Sequence, residues 1–368
     1  MLILLLLTDL CVLKKLEELD LSDNHFEGIL PPCLSKLTSL RFFDISKNQF
    51  SGNVSSSIIA GLTSLEYIDL SFNRFEGLFS FSSFANNSKL KVIRLKGENY
   101  QSDEDYNKFG IESNKLEIET ENPSWESLFQ LKVLVLPNCN LNKFSANIPS
   151  FLFEQHELEL VDISQNKLNG SFPTWLIENN TRLQLLNLRD NYFGGQFHLP
   201  TNQYRNLSWL DVSHNNFDGQ LQENIGKMIP NLEYLNLSRN HFEGNLPSSI
   251  GDMKNLTKLD LSFNNFSGEL PTTLIKNCTY LVVLRLSSNI LHGEIFSDRF
   301  WLFFSNTLRD LVLHDNLFTG TLPITVPPPG SFLKVLDISK MMGSYHKNCF
   351  SGTIPDRLLY LPKIRSLT

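Results

Sequence analysis

Apolar and polar positions along this chain repeat at a nearly constant interval. The segment Leu16–Asn24 has the form LxxLxLxxN, in which x is mostly polar. This frame begins thirteen times, at residues 16, 40, 65, 90, 131, 158, 183, 207, 232, 256, 281, 308 and 333. The steps are 24 to 27 residues, apart from one of 41. A fixed period of this length predicts one structural unit per step, stacked into a solenoid.

Each frame predicts one short strand. In the frame that begins at Leu232, Leu235 and Leu237 alternate with other residues, which is the period of a strand with one buried face. Stacked units place such strands side by side, about 4.7–4.9 Å apart. The sequence therefore predicts a parallel sheet built from one strand of each unit.

The last frame position is asparagine in ten of the thirteen frames. An amide carries both donors and an acceptor, so it can satisfy backbone groups where the chain leaves a strand. Cys139 fills the position once, and Glu98 and Met341 depart from the pattern beside insertions. The predicted ladder comprises Asn24, Asn48, Asn73, Asn166, Asn191, Asn215, Asn240, Asn264, Asn289 and Asn316.

The second half of most repeats is also regular. Phe242-Glu-Gly244-Asn-Leu246-Pro247 recurs in related form at residues 266–271 and 318–323. We expect the phenylalanine to pack inward, the glycine to allow a tight bend and the proline to end the segment. This LxGxIP-type half resembles the plant-specific class of leucine-rich repeat. Nearly the whole chain is similar to the extracellular part of plant leucine-rich-repeat receptor-like proteins.

The resemblance implies an α/β solenoid, a right-handed superhelix or horseshoe. Its parallel sheet lines the concave face, and loops with short 3-10 or helical turns form the convex side. It also implies a plant cell-surface location and a role in defence or development through a partner receptor kinase. The implied ligand is a peptide, protein or glycan on the concave or lateral face. Two alternatives stay open: a soluble cell-wall inhibitor of microbial polysaccharide-degrading enzymes, and the ectodomain fragment of a receptor kinase.

Two insertions interrupt the repeats. Residues 97–126 hold nine acidic and two basic residues, which accounts for the net charge of −7. This stretch is either a partner-binding acidic loop or a solvated surface loop, and alternation at Leu116, Ile118 and Thr120 indicates a short strand. Residues 341–347 form a seven-residue insertion, because the asparagine due at position 341 appears at position 348.

The two ends lack features that the resemblance implies. No paired cysteines and tryptophan of the family's N-terminal cap precede Leu16, and a partial fourteenth frame from about residue 364 reaches Thr368. Residues 1–8 have no basic start or cleavage site of a signal peptide, and no apolar run reaches the roughly twenty residues of a membrane helix. We expect a single array over residues 1–368 with both terminal caps absent, as in an interior piece of a receptor-like protein.

Composition and motifs argue against catalysis. With 32 basic and 39 acidic residues, the chain is not predicted to bind nucleic acid by bulk charge. It contains no HExxH, G-x-S-x-G, Walker or CxxC motif. We therefore predict no enzyme activity, no cofactor and no metal site. Cys139 and Cys278 are expected to be buried small apolar residues.

Candidate ligand-binding residues lie where individual repeats depart from the common strand sequence. Aspartate recurs at a strand position that we expect to be exposed, and ordinary hydrogen bonding to neighbouring strands explains it better than a ligand site does. These aspartates are Asp20, Asp44, Asp69, Asp162, Asp211, Asp260 and Asp337. Exposed residues that break this stripe are the predicted ligand contacts, since aromatic residues and arginine dominate recognition hot spots. They are Arg189, Trp209, His214, Tyr234, Arg239, Lys258, Phe263 and Arg285.

Trp209 and Tyr234 share a frame position in adjacent repeats, so we expect them to stand one strand apart. Ordinary surface variation between repeats is the alternative explanation for all eight residues.

Nine N-x-[ST] sequons predict glycosylation and a secreted history. They are at Asn53, Asn86, Asn169, Asn179, Asn206, Asn236, Asn255, Asn265 and Asn277. Asn236 falls at a strand centre on the predicted concave face, where a glycan would obstruct the predicted ligand contacts.

Overall fold

The computed structural model describes residues 10–97, 115–121, 124–296, 307–321, 332–339, 347–351 and 366–367. The chain forms two compact units. Unit one comprises Met1–Gly170 and Trp175–Tyr192, and unit two comprises Ser171–Thr174 and Phe193–Thr368. Each unit repeats the same coil: a short inner strand, a turn, an outer segment and a return to the next inner strand.

The inner strands pair in parallel within each unit, as predicted. In unit one they are Glu18–Asp20, Phe42–Asp44, Tyr67–Asp69, Val92–Arg94, Val133–Val135, Leu160–Asp162 and Leu185–Asn187. In unit two they are Trp209–Asp211, Tyr234–Asn236, Lys258–Asp260, Val283–Arg285, Asp310–Val312, Val335–Asp337 and Ser366–Leu367. Equivalent frame positions pair directly, for example Leu235 with Leu259. Leu232, Leu235 and Leu237 are all 0% exposed, so the frame leucines form the interior. The predicted leucine-rich-repeat fold is confirmed.

Outer strands form a second set of parallel ladders, of which only the strand at Leu116–Glu119 was predicted from the sequence. They are Glu27–Gly28, Gln49–Gly52, Arg74–Phe75, Gly77–Ser80, Leu116–Glu119, Asn169–Gly170, Tyr192–Gln196, Asn216–Gln220, His241–Asn245, Asn265–Gly268, Ile290–Glu294, Leu317–Thr321 and Cys349–Ser351. In unit two Phe217, Phe242 and Phe266 are 0% exposed and stack at 5.9–6.4 Å between ring centroids. Gly244 has φ +74°, and a Cβ there would come within 2.9 Å of Gln220, so glycine fits this bend best.

Short helical segments complete the coils, as predicted. The α-helices are Ser56–Gly61, Thr174–Asn179, Ile225–Met228 and Thr272–Asn277, and the 3-10 helices are Pro32–Lys36, Phe81–Phe84, Ser150–Glu154 and Ser248–Asp252. Within the described part of the chain, none of the helices has the length and hydropathy needed to cross a membrane.

The asparagine ladder joins each coil to its neighbours. Asn240 donates from Nδ2 to the carbonyls of Leu237 and Ser238 in its own coil and to that of Val212 in the preceding one, at 3.0–3.2 Å. Its Oδ1 accepts the Phe217 N–H at 3.0 Å. The same pattern recurs along both units, so one amide satisfies backbone groups of two coils.

The acidic insertion contributes one described strand. Leu116–Glu119 pairs in parallel with Gly77–Ser80, and Leu116, Ile118 and Thr120 are no more than 2% exposed. The strand predicted from their alternation is confirmed. Residues 98–114 and 122–123 lie outside the described residues, and with them Glu98 and four further acids of this stretch.

The second insertion leaves the ladder intact. Asn348 Oδ1 accepts the Phe318 N–H at 3.0 Å, and its Nδ2 donates to Leu313 O at 2.9 Å. Asn348 thus makes the ladder hydrogen bonds expected of an asparagine at position 341, as the seven-residue insertion predicts. Ser366–Leu367 pairs with Val335–Asp337, which confirms the strand of the fourteenth frame. Residues 341–346 and 361–365 lie outside the described residues.

A disulfide joins Cys11 and Cys33, with 5.7 Å between their Cα atoms. The spacing of the cysteines did not predict this pair. Cys139 and Cys278 are free and 0% exposed, as expected, and Cys349 is free and exposed. Burial raises the pKa of the Cys278 thiol to about 12 and raises that of Cys139 as well, so both side chains stay protonated and act as small apolar groups.

Replacing Asn240 with alanine tests the ladder. We expect the free energy of unfolding to fall by about 1–3 kcal/mol, because buried backbone groups of two coils lose their partner. Urea denaturation of the full chain measures the change. Asn216→Ala, at the exposed start of an outer strand, is the matched control and should change stability by less than about 0.5 kcal/mol. Equal losses in the two variants would contradict the ladder's role.

Removing the disulfide tests its contribution to the first coils. It closes a loop with a sequence separation of 22 residues, for which loop entropy predicts about 3 kcal/mol. In the double variant Cys11→Ser, Cys33→Ser we expect faster proteolysis and faster amide exchange confined to the coils around Leu19 and Phe43. Cys349→Ser is the control. Unchanged exchange in those coils would show that the bridge contributes nothing.

Candidate functional site

Three neighbouring inner strands of unit two carry a row of large side chains. Tyr234 pairs directly with Trp209 on one side and with Lys258 on the other across the parallel sheet. We call these three residues the inner row. All three take the position just before the strand's central leucine, which alternation directs away from the interior. The prediction that Trp209 and Tyr234 stand one strand apart is confirmed.

The inner row is tightly packed. The Trp209 and Tyr234 rings stack with 3.5 Å between centroids and 6° between planes. Lys258 Nζ lies 4.6 Å from the Tyr234 ring centroid and 3.2 Å from the Tyr234 hydroxyl oxygen. Tyr234 is only 4% exposed, whereas Trp209 and Lys258 are half-buried. The expectation that Tyr234 is exposed is therefore wrong, because its two neighbours cover the ring.

Beneath the inner row lies a buried carboxylate. Asp211 Oδ2 accepts hydrogen bonds from the Tyr234 hydroxyl and from Asn236 Nδ2, both at 3.1 Å. Asp211 Oδ1 accepts the Ser213 N–H at 2.9 Å and the Ser213 hydroxyl at 2.6 Å. Burial, reinforced by the Asp211 charge, raises the pKa of Tyr234 far above its usual range. The tyrosine therefore stays neutral and donates to the carboxylate.

The aspartates were expected to be exposed, and this is wrong for five of them. Asp44, Asp69, Asp162, Asp211 and Asp260 are at most 9% exposed. Each accepts the backbone N–H of the serine two residues later, as Asp260 does from Ser262 at 3.1 Å. Bonds to neighbouring strands also occur, as predicted, through the second oxygen of Asp44 and Asp211. Despite the serine bonds, burial raises the pKa of Asp69 and Asp162.

Asn236 is buried in the folded chain, and its glycosylation stays a prediction. It is 5% exposed, and its Oδ1 accepts the Ser238 hydroxyl at 2.8 Å while its Nδ2 faces Asp211. Asn236 is buried because it takes the strand-end position that a buried aspartate holds in other repeats.

The other sequons are more accessible. Asn53, Asn86, Asn169, Asn206, Asn255 and Asn265 are exposed, and Asn179 and Asn277 are half-buried at the ends of helices. Their occupancy stays a prediction.

Three predicted contacts lie past the strands rather than on them. His214, Arg239 and Phe263 each follow a strand end by three residues, with φ of 53–55°. They occupy the turn that leads into the ladder asparagine. The guanidinium carbon of Arg239 lies 4.1 Å from the Phe263 ring centroid, so these two side chains form a cation–π pair beside the turn.

Arg285 forms a third group. Its two terminal nitrogens lie 3.7 Å from Asp260 and 3.9 Å from Asp310 across neighbouring strands. The eight predicted residues therefore do not form one continuous cluster.

Arg189 belongs to unit one and was wrongly expected to be exposed. It is 7% exposed because it takes the buried position that serine holds in repeats such as Asp211-Val-Ser213.

Unit one contains an equivalent aromatic pair that was not predicted from the sequence. Phe42 and Tyr67 stack at 4.4 Å and 12°, and the Tyr67 hydroxyl lies 3.4 Å from Asp44 Oδ2. Both residues take the same frame position as the inner row, in adjacent repeats. This shared position in the sequence could have predicted the pair. One residue earlier, Glu66 bonds to Arg41 and Lys91 at 2.8 Å, and these hydrogen bonds lower the pKa of Glu66.

Alkaline titration tests the two buried hydroxyls. Burial raises the pKa of Tyr67 from 10.0 to about 12, and that of Tyr234 is also raised. Stability from these neutral hydroxyls is therefore fully present below pH 10 and is lost as the pH rises towards about 12. In urea denaturation, the midpoint concentration should fall less between pH 10 and about 12 in Tyr67→Phe and in Tyr234→Phe than in the unaltered chain. Tyr280→Phe, at a ring 62% exposed, is the control. A fall of the same size in all variants would refute the assignment.

Models of known families match the repeats. Two models, both described as leucine-rich repeat, match residues 205–266 and residues 15–37 and 64–87.

Curated relatives are plant receptors. The chain is 41% identical over 201 residues to Cuscuta receptor 1 of Solanum lycopersicum, covering 54% of this chain and 16% of that protein. It is 42% identical over 182 residues to Receptor-like protein 1 of Arabidopsis thaliana, covering 50% and 15%. The matched region is thus a small part of either relative.

Solved structures agree with this likeness. The Arabidopsis receptor kinase HAESA, in complex with the peptide hormone IDA and the co-receptor SERK1, has a TM-score of 0.72 and 25% identity, covering 97% of this chain and 54% of that one. A TDR receptor has a TM-score of 0.73 and 26% identity, covering 98% and 60%. By its repeats, its inner sheet and these relatives, the chain is a leucine-rich-repeat protein similar to the plant receptor-like proteins.

Proposed function

We propose that the chain is a non-catalytic recognition module of a plant cell-surface receptor-like protein, and that it binds a peptide or protein ligand against the inner row. The observation that carries this proposal is the stacked Trp209–Tyr234 pair with Lys258 at its edge. A half-buried tryptophan on a fixed support is the type of anchor that dominates protein recognition.

The packing of the inner row keeps the cost of binding low. Tyr234 is held from below by Asp211 and from the side by Lys258, so Trp209 rests on a surface that does not move when a ligand arrives. Because its rotamer is already fixed by the 3.5 Å stack, little side-chain entropy is lost on binding. The remaining face of the indole can cover an apolar ligand side chain.

Charge near the inner row favours a ligand with an acidic group. Lys258 places an ammonium group at the edge of the inner row, where its Nζ donates a hydrogen bond to the Tyr234 hydroxyl at 3.2 Å. Arg239 is exposed above the Phe263 ring. Both cations can therefore pair with ligand carboxylates, while Asp211 is already satisfied by Ser213, Tyr234 and Asn236.

The relatives support this assignment. HAESA binds a peptide hormone, and the curated relatives carry receptor names. We extend from them an extracellular location and signalling through a partner kinase.

Trp209→Ala tests the inner row. The full chain is immobilised and probed by biolayer interferometry with a fractionated pool of plant extracellular peptides, and bound peptides are identified by mass spectrometry. We expect Trp209→Ala to weaken binding of the recovered peptide by about 30-fold, equivalent to about 2 kcal/mol. Lys258→Met should weaken the binding of acidic peptides more than that of neutral or basic peptides.

The control is Tyr192→Ala, at a ring 58% exposed at the start of an outer strand. It should bind as the unaltered chain does. Recovery of no peptide, or equal affinity of the Trp209→Ala variant, would overturn the proposal.

A further inference from the structure

An aromatic pair lies beside a sequon on two helical segments of unit one. Phe153, in the 3-10 helix Ser150–Glu154, stacks on Trp175 with 4.0 Å between ring centroids and 26° between planes. Phe153 is 48% exposed, and Trp175 is half-buried. The two rings therefore keep apolar surface in contact with solvent.

The sequon Asn179-Asn180-Thr181 begins at the last residue of the helix Thr174–Asn179. Trp175 precedes Asn179 by four residues, which places the two side chains on one face of the helix. Asn179 Nδ2 donates to the Phe153 carbonyl oxygen at 3.3 Å. The amide that would carry a glycan is thus tied to one aromatic residue and aligned with the other.

We propose that Asn179 carries an N-linked glycan whose first N-acetylglucosamine packs against Phe153 and Trp175. In this modification Nδ2 exchanges one of its two hydrogens for C1 of the sugar. The bond between C1 and the phosphate oxygen of a lipid-pyrophosphate-linked oligosaccharide donor breaks. The lipid pyrophosphate leaves with that electron pair, and the displaced proton passes to a base.

The hydrogen bond to Phe153 survives the modification. A glycosylated asparagine amide keeps one N–H, and this group still donates to the Phe153 carbonyl. The retained bond limits rotation of the Asn179 side chain and directs the sugar along the helix face towards Trp175.

The rings are suited to this ligand. The face of an aromatic ring is electronegative and attracts the C–H groups on the apolar face of a pyranose. Covering Phe153, which is 48% exposed, also removes apolar surface from water.

Unit two supplies a matched control. The helix Thr272–Asn277 also ends at the asparagine of a sequon, Asn277-Cys278-Thr279, four residues before a frame leucine. Asn277 is half-buried like Asn179. The residue four positions before it is Thr273 instead of tryptophan, so a glycan at Asn277 has no such ring on its helix face.

The experiment uses the full chain directed through the secretory pathway of plant cells, with its N-acetyl methyl groups labelled with carbon-13. Mass spectrometry should show Asn179 occupied. The aromatic ring current should move the N-acetyl methyl proton signal of Asn179 upfield from that of Asn277. Thr181→Ala and Thr279→Ala, which remove one sequon each, assign the two signals.

Trp175→Leu and Phe153→Leu should each return the Asn179 signal towards the position of the Asn277 signal. An unoccupied Asn179, an unshifted signal, or a shift that survives both ring substitutions would overturn the proposal. Should the ring variants fail to fold, the signals of the unaltered chain and the two threonine variants decide it.

Discussion

The structure depends on how each coil satisfies its backbone where the chain leaves the inner strand. At this turn the main chain is buried, so its N–H and C=O groups need protein partners. Asn264 shows the solution: Nδ2 donates to Leu237 O at 3.0 Å in the preceding coil, and Oδ1 accepts the Phe242 N–H at 3.1 Å. Because an amide placed in this way binds two coils, it fixes the offset between them. The inner strands are consequently in register, and equivalent side chains form rows.

The buried aspartates extend this constraint to the inner row. Asp211 uses one oxygen to hold the turn of its own coil through Ser213, and the other to hold Tyr234 and Asn236 of the next coil. The support of Trp209 is therefore part of the framework. A carboxylate that stabilises the turn also fixes the ring on which the exposed indole rests.

Much of the fold was predictable because the period of the sequence is the period of the structure. The leucine frame located the inner strands, and Asn348 was correctly placed as the displaced ladder residue. Burial was less predictable. Arg189 and Asn236 each occupy a position whose burial is set by the turn, and alternation along a strand cannot show this. The Cys11–Cys33 bridge and the outer strands depend on which segments stacking brings together, which spacing alone does not reveal.

Comparison of the two aromatic rows shows how one framework supports different surface chemistry. Tyr67 and Tyr234 each stack on an aromatic ring from the preceding strand, and each directs its hydroxyl to a buried aspartate. The next strand supplies Val92 beside Tyr67 but Lys258 beside Tyr234. The row in unit one therefore continues as an apolar surface, whereas the row in unit two ends in an ammonium group. The ladder and the aspartates fix the backbone in both cases. The residue that occupies the inner-row frame position therefore changes the chemistry of the surface without changing its geometry.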